Sequence, residues 1–165
     1  MTGPQRMEPG PGQESVWDYP RPPRLERSDA AIQVVLGGLT IVDCAKSWRV
    51  LETAGPPVHY LDRVDIAAGT LRSCAGVSWC EWKGEASYFD LVAGGVSSPS
   101  AAWSYHVPSP AFGPIAGFVA IYAGRVDRVM LDGEEVRPQP GDFYGGWITS
   151  RVTGPFKGDP GTSGW

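Results

Sequence analysis

The sequence predicts a mainly β protein, a sandwich or barrel-like arrangement of short antiparallel strands, on three observations. Glycine and proline are abundant, 22 and 16 of 165 residues, and a chain so interrupted does not sustain long helices. Runs of β-branched and aromatic residues recur with turn signals about every 8–12 residues, the rhythm of all-β folds. Two diglycine pairs and an Asp-Gly pair separate such runs, the chemistry that two-residue hairpin turns demand. The length suits one hydrophobic core rather than two.

The elements follow in order. Residues 1–14 are Gly, Pro and polar residues with nothing to bury, so they are expected to form a disordered lead. Val16 to Pro23 (VWDYPRPP) carries three prolines and two aromatics, which suits an extended arm docked on the body. Ala31–Leu36, the pair Gly37-Gly38 and Leu39–Asp43 form the clearest hairpin. Ala45 to Thr53 (AKSWRVLET) is a strand or short irregular element whose two faces the alternation leaves ambiguous, and Gly55-Pro56-Pro57 ends it. Val58–Leu61 continues extended, and Asp62–Ile66 is a short turn or strand.

Leu71–Ser73 and Val77–Trp79 lead into Cys80–Tyr88 (CEWKGEASY), the most chemically dense stretch of the chain. Ala86–Val92 and Ala101–Tyr105 flank Gly94-Gly95 as a second hairpin. A helical turn is expected within Pro110–Ala116, then a strand over Phe118–Tyr122, and Val126–Leu131 with Asp132-Gly133 and Glu134–Val136 gives a third hairpin. The domain is thus expected over residues 15–137. Residues 138–165 return to Gly and Pro with scattered aromatics and read as an extended arm for the domain itself or for a partner chain, the latter making a homo-oligomer.

Composition narrows the function classes. With 18 acidic and 14 basic residues, a formal charge of −4 and no long run of either sign, the chain lacks the electrostatic footprint of a nucleic-acid binder. No stretch of about 18 apolar residues is present to span a bilayer, so no membrane partner is expected. The N-terminus has neither a basic nor an apolar signal region, and the expected location is the cytoplasm. Cys44, Cys74 and Cys80 are an odd number without scaffold spacing, which suits a reducing compartment.

Five ordered blocks, VWDYPRPP (16–23), RVLET with PPVHY (49–53 and 56–60), CEWKGEASY (80–88), AWSY (102–105) and IAGFVAIY (115–122), together resemble the bacterial domain-of-unknown-function family four-two-seven (DUF427) over about residues 15–136. The resemblance implies a single small β-tent-like domain of two antiparallel sheets, with short helical turns and extended terminal arms. It also brings a loose nucleotidyltransferase label, and wider β-tent relatives that include zinc-binding modules and methionine sulfoxide reductases. Fold alone fixes none of these activities.

Each chemistry has its own residue requirement. Structural zinc wants four soft ligands in paired knuckles; the chain has three Cys, two His and no Cys-x-x-Cys, so no metal site and no cofactor is expected. Thiol chemistry would rest on Cys80 with Lys83 three residues on and Cys74 as a resolving partner, set against a plain buried thiol. Metal-assisted nucleotidyl transfer would use Glu81 and Glu85, which share one side of an extended strand unless Gly84 bulges it; solvated carboxylates are the simpler reading. A hydrolase would have to bring His59 or His106 to a nucleophile, and no G-x-S-x-G elbow is present.

The remaining reading is a pocket between the sheets for a small polar molecule. Arg49, Glu52, Lys83, Tyr88, Trp103, Tyr105 and His106 are its candidate ligand-binding residues, with Lys83 and Glu52 as polar anchors and Trp103 and Tyr105 as walls. Lys83, Glu52 and Cys80 are the candidates should it be catalytic. A Glu52–Arg49 or Glu52–Lys83 ion pair serving structure alone is the competing explanation.

Overall fold

The computed structural model describes residues 5–141, 143–159, 161, 162, 164 and 165. The first part of the expected disordered lead, residues 1–4, lies outside them. Among the described residues fifteen strands follow one another: β1 (Glu14–Ser15), β2 (Arg24–Ser28), β3 (Ile32–Leu36), β4 (Leu39–Cys44), β5 (Ser47–Leu51), β6 (Val58–Tyr60), β7 (Leu71–Cys80), β8 (Gly84–Ala93), β9 (Val96–Ser104), β10 (Val119–Ile121), β11 (Arg128–Leu131), β12 (Glu134–Glu135), β13 (Arg137–Pro138), β14 (Trp147–Ile148) and β15 (Val152–Thr153). The helical elements are lone 3-10 turns, such as the one over Pro110–Ile115. The fold is mainly β and antiparallel, and among the described residues no helix is long and apolar enough to cross a membrane.

Two layers result. One sheet runs in the order β12-β11-β3-β4. The other is composite: the three-stranded β2-β5-β6 and the four-stranded β10-β9-β8-β7 are joined where Leu61 and Val119 exchange both backbone hydrogen bonds at 2.8 Å. Strand alternation then sorts the composite sheet's side chains. Leu61, Phe89, Leu91, Ala102, Val119 and Ile121 point at the first sheet and bury against Ile32, Val34, Val42 and Val129. Their neighbours in sequence, Tyr60, Trp103, Ala120 and Tyr122, point the other way into a second aromatic cluster with Tyr105 and Phe112.

The three hairpin turns fall where the glycines stand. Gly37 and Gly38 link β3 to β4, Gly94 and Gly95 link β8 to β9, and all four have positive φ, open to glycine without steric cost. Gly37 and Gly94 also touch each other across the layers, so that a Cβ on either would collide with the backbone of the other turn. Glycine is needed there twice over, for the turn and for the approach of the two sheets.

The segment after β12 packs back on its own chain. β13 pairs with β14, Trp147 lies in the main core with its indole N–H donating to the Ile121 carbonyl at 2.9 Å, and β15 runs parallel to β1. Residues 5–10 run without regular structure, with the Met7 N–H donating to the Gly154 carbonyl at 3.0 Å, and a turn follows in which the Gln13 N–H donates to the Gly10 carbonyl at 3.1 Å.

Candidate functional site

On the outer face of the composite sheet lies a cleft of about 270 Å³. The expectation of a pocket between the two sheets is corrected in position: their interface is filled by a largely aliphatic core, and the concavity forms on the far side, over the aromatic cluster. Its floor is Val50, Tyr60, Trp103, Tyr105 and Tyr122. The tip of the β7–β8 hairpin forms one wall, and the segment through Gln139 and Phe143–Gly145 forms the opposite one.

The floor is held rigidly. The Trp103 indole N–H donates to the Tyr60 hydroxyl at 3.2 Å with the rings edge to face, and Trp103 packs on Tyr122 at 4.6 Å between centroids. The Tyr122 hydroxyl donates to the Phe143 carbonyl at 2.7 Å, fastening the far wall. Gly145 lies against the Trp103 ring so closely that a Cβ there would overlap it. Burial raises the phenol pKa of Tyr60, Tyr105 and Tyr122, so these rings face the cleft as neutral hydroxyls.

Of the residues selected from sequence, Glu52, Lys83, Tyr88, Trp103, Tyr105 and Cys80 line this cleft. Arg49 and His106 do not. His106 is exposed beyond the end of β9. Arg49 sits on the opposite face of β5, donating to Glu26 at 2.6 and 2.9 Å and to Glu14 at 2.9 and 3.2 Å. The suggested Glu52–Arg49 and Glu52–Lys83 pairs are not formed; Glu52 faces Arg21, 3.6 Å away.

The run Cys80–Tyr88 is a hairpin tip rather than a single strand. β7 ends at Cys80, residues 81–83 turn, and β8 starts at Gly84 with φ +102°. Glu81 and Glu85 therefore do not share a strand face, and both are exposed. The same turn folds Lys83 inward, 8% exposed, with its ammonium 5.8 Å from the Tyr105 ring centre and 5.6 Å from that of Phe112. Among the described residues it has neither an ion pair nor a hydrogen bond for its Nζ.

The second polar cluster surrounds Arg49. His59 stacks on Trp147 at 5.0 Å and shares a 3.1 Å hydrogen bond with the Ser47 hydroxyl through Nδ1. Burial, with the Arg49 charge adding to it, lowers its pKa from 6.5 to about 3. Burial also works to raise the Glu14 carboxyl, but hydrogen bonds and charge from Arg49 outweigh it and the pKa is lowered.

Cys44, Cys74 and Cys80 are free thiols. Cys74 has Ser100 as neighbour at 3.7 Å, and Cys80 reaches the cleft wall. Among the described residues no three His, Cys, Asp or Glu side chains converge on one point. A divalent ion for phosphoryl chemistry wants several carboxylate oxygens, whereas Glu52 is turned to Arg21 and Glu81 is exposed; the residues present do not fit one.

Tyr60, Tyr122, Val50 and the far wall were missed by sequence reasoning. The tyrosines carried a usable signal, since PPVHY and FVAIY alternate and put both rings on the face of Trp103. The wall residues sit in Gly/Pro sequence that has no period to read.

Fold and cleft define a class, an antiparallel β domain with an aromatic-floored surface cleft. Within it, a family model described as Domain of unknown function (DUF427) matches residues 24–132, about two thirds of the chain, and the chain belongs to that family. No curated protein matches it significantly. Arg21 and the wall residues Gln139, Phe143, Tyr144, Gly145 and Lys157 lie outside the matched residues, so part of the cleft comes from sequence that the family model does not cover.

Proposed function

We propose that this protein binds a small polar molecule in the cleft floored by Tyr60, Trp103 and Tyr105. The observation that carries the reading is the convergence of four aromatic rings in one concavity with the ammonium of Lys83, which among the described residues meets ring faces and no acid. Small-molecule sites combine mostly apolar walls with a few placed polar groups, and their volumes are typically about 300–1,000 Å³. At about 270 Å³ this cleft suits one ring with a polar substituent and is small for a nucleoside triphosphate.

A fragment screen read by thermal shift tests the reading. Ligands that bind only the native state raise stability by about 2.7 kcal/mol at a hundred times Kd. Val58, half-buried on the cleft wall, offers a blocking variant: in Val58→Trp the indole fills the cleft, and fragments that shift the melting of the wild type should lose their effect. Fragments that bind Val58→Trp unchanged, or a screen without hits, would sink the proposal.

A further inference from the structure

We infer that the cleft selects a singly charged anion, a ring carboxylate, with Lys83 as the group that reads its charge. The inference rests on the small-molecule reading above and specifies the ligand's chemistry. It starts from a cation left without an anionic partner. Lys83 is 8% exposed as a residue, and among the described residues its ammonium meets only the faces of Tyr105 and Phe112. Ring faces supply part of the missing stabilisation; they leave all three N–H donors of the ammonium available.

The position of Lys83 is built into the backbone. The Ser109 N–H donates to the Lys83 carbonyl at 3.1 Å, and Gly84 takes the positive φ that turns the chain into β8. These fix the residue at the hairpin tip while its side chain enters the cleft wall.

The charges around the cleft sum to a small positive excess. Among the described residues lining the cleft, Arg21, Lys83 and Lys157 are basic and Glu52 and Glu81 acidic, on a chain whose formal charge is −4. Glu52 is turned to Arg21 at the rim, and Lys157 rides on the Tyr144 ring at 5.0 Å. The cleft is thus locally positive on an acidic protein, which draws small anions to it.

The number of charges follows from the same count. One ammonium lies deep, and the walls beside it are neutral phenols and an indole. A carboxylate meets it with one negative charge. A phosphate monoester would bring most of a second charge into aromatic surroundings with no further buried cation among the described residues to meet it. Lysine acts as a point charge rather than a planar fork, so it asks for charge and not for a bidentate geometry. The flat part of the ligand would lie on Trp103 and Tyr60.

Four matched probes, benzoate, benzamide, benzylamine and phenyl phosphate, titrated calorimetrically into the wild type and into Lys83→Met, test this. Benzoate should bind about tenfold to a hundredfold tighter than benzamide, the value of a hydrogen-bonded charge, with phenyl phosphate weaker than benzoate and benzylamine weakest. In Lys83→Met, shown to be folded by its cooperative thermal unfolding, the advantage of benzoate over benzamide should vanish. Equal binding of benzoate and benzamide, preference for phenyl phosphate, or a benzoate preference that survives Lys83→Met would overturn the inference and leave the small-molecule reading standing. If none of the four binds, and the fragment screen is also empty, both fall.

Discussion

Two cations flank the same strand-built wall and are treated in opposite ways. Arg49, its side chain 18% exposed, is satisfied by the four hydrogen bonds it donates to two glutamates. Lys83, more deeply buried, has two ring faces and no acid. The first is an internal staple tying β1 and β2 to β5. The second leaves stabilisation unrealised in the isolated chain, as sites that await a ligand do. Burial of a charge says little about its role until its partners are counted.

Removing each cation should separate the two roles. The largest effect is expected from Arg49→Met, which strands Glu14 and Glu26. Because both carboxylates retain solvent contact, the loss should be about 2–3 kcal/mol, below that of a fully buried pair, read as a fall in the denaturant midpoint. A change within error would break the contrast at its structural end.

His59→Phe is expected to act next and to change a slope. His59 is held neutral with its pKa lowered from 6.5 to about 3, so its unfolded form binds the extra proton first. The contribution is therefore full above about 6.5 and is lost as pH falls toward 3. Glu14 has the same sign, its lowered carboxyl stabilising the fold above its ordinary value of 4.5. Stability of the wild type should decline on acidification below neutrality. His59→Phe should flatten the decline between about 6.5 and 4 and cost about 1 kcal/mol at neutral pH for the abandoned Ser47 hydroxyl. An unchanged slope would mean that His59 does not report on this face.

The smallest effect has the opposite sign. Lys83→Met removes a charge from among aromatic rings without stranding an acid and should stabilise the protein by about 0.5 kcal/mol, seen as a raised denaturant midpoint. Destabilisation instead would place Lys83 with Arg49 as structure and erase the distinction.

How much of this was legible in the chain depends on the range of the forces. The hairpins were, because Gly37-Gly38, Gly94-Gly95 and Asp132-Gly133 state their turn chemistry within two residues. Membership of the aromatic floor was partly legible, since Trp103 and Tyr105 alternate along one face. Arg49 was misplaced because AKSWRVLET alternates without bias and its partners Glu14 and Glu26 come from elsewhere in sequence. Lys83 stands on a turn, where strand period no longer says which way a side chain points. The far wall was illegible, as Gly145 is chosen by contact with Trp103, a contact no local pattern encodes.

The parallel pairing of β1 with β15, with Trp147 seated in the core between them in sequence, has a consequence for the order of events during synthesis. Residues 24–131 hold nearly all of the two layers, and they leave the ribosome before the segment that carries Trp147. Until that segment emerges, Tyr60, Trp103 and Tyr122 lie along an open trough, and the place of the Trp147 indole is vacant. At about 5–20 residues per second that interval lasts seconds, during which the nascent chain presents an aromatic surface to its surroundings. The wall that shapes the cleft is the same segment that shields the newborn domain, so a cell making this protein has reason to guard it until its final strand is laid.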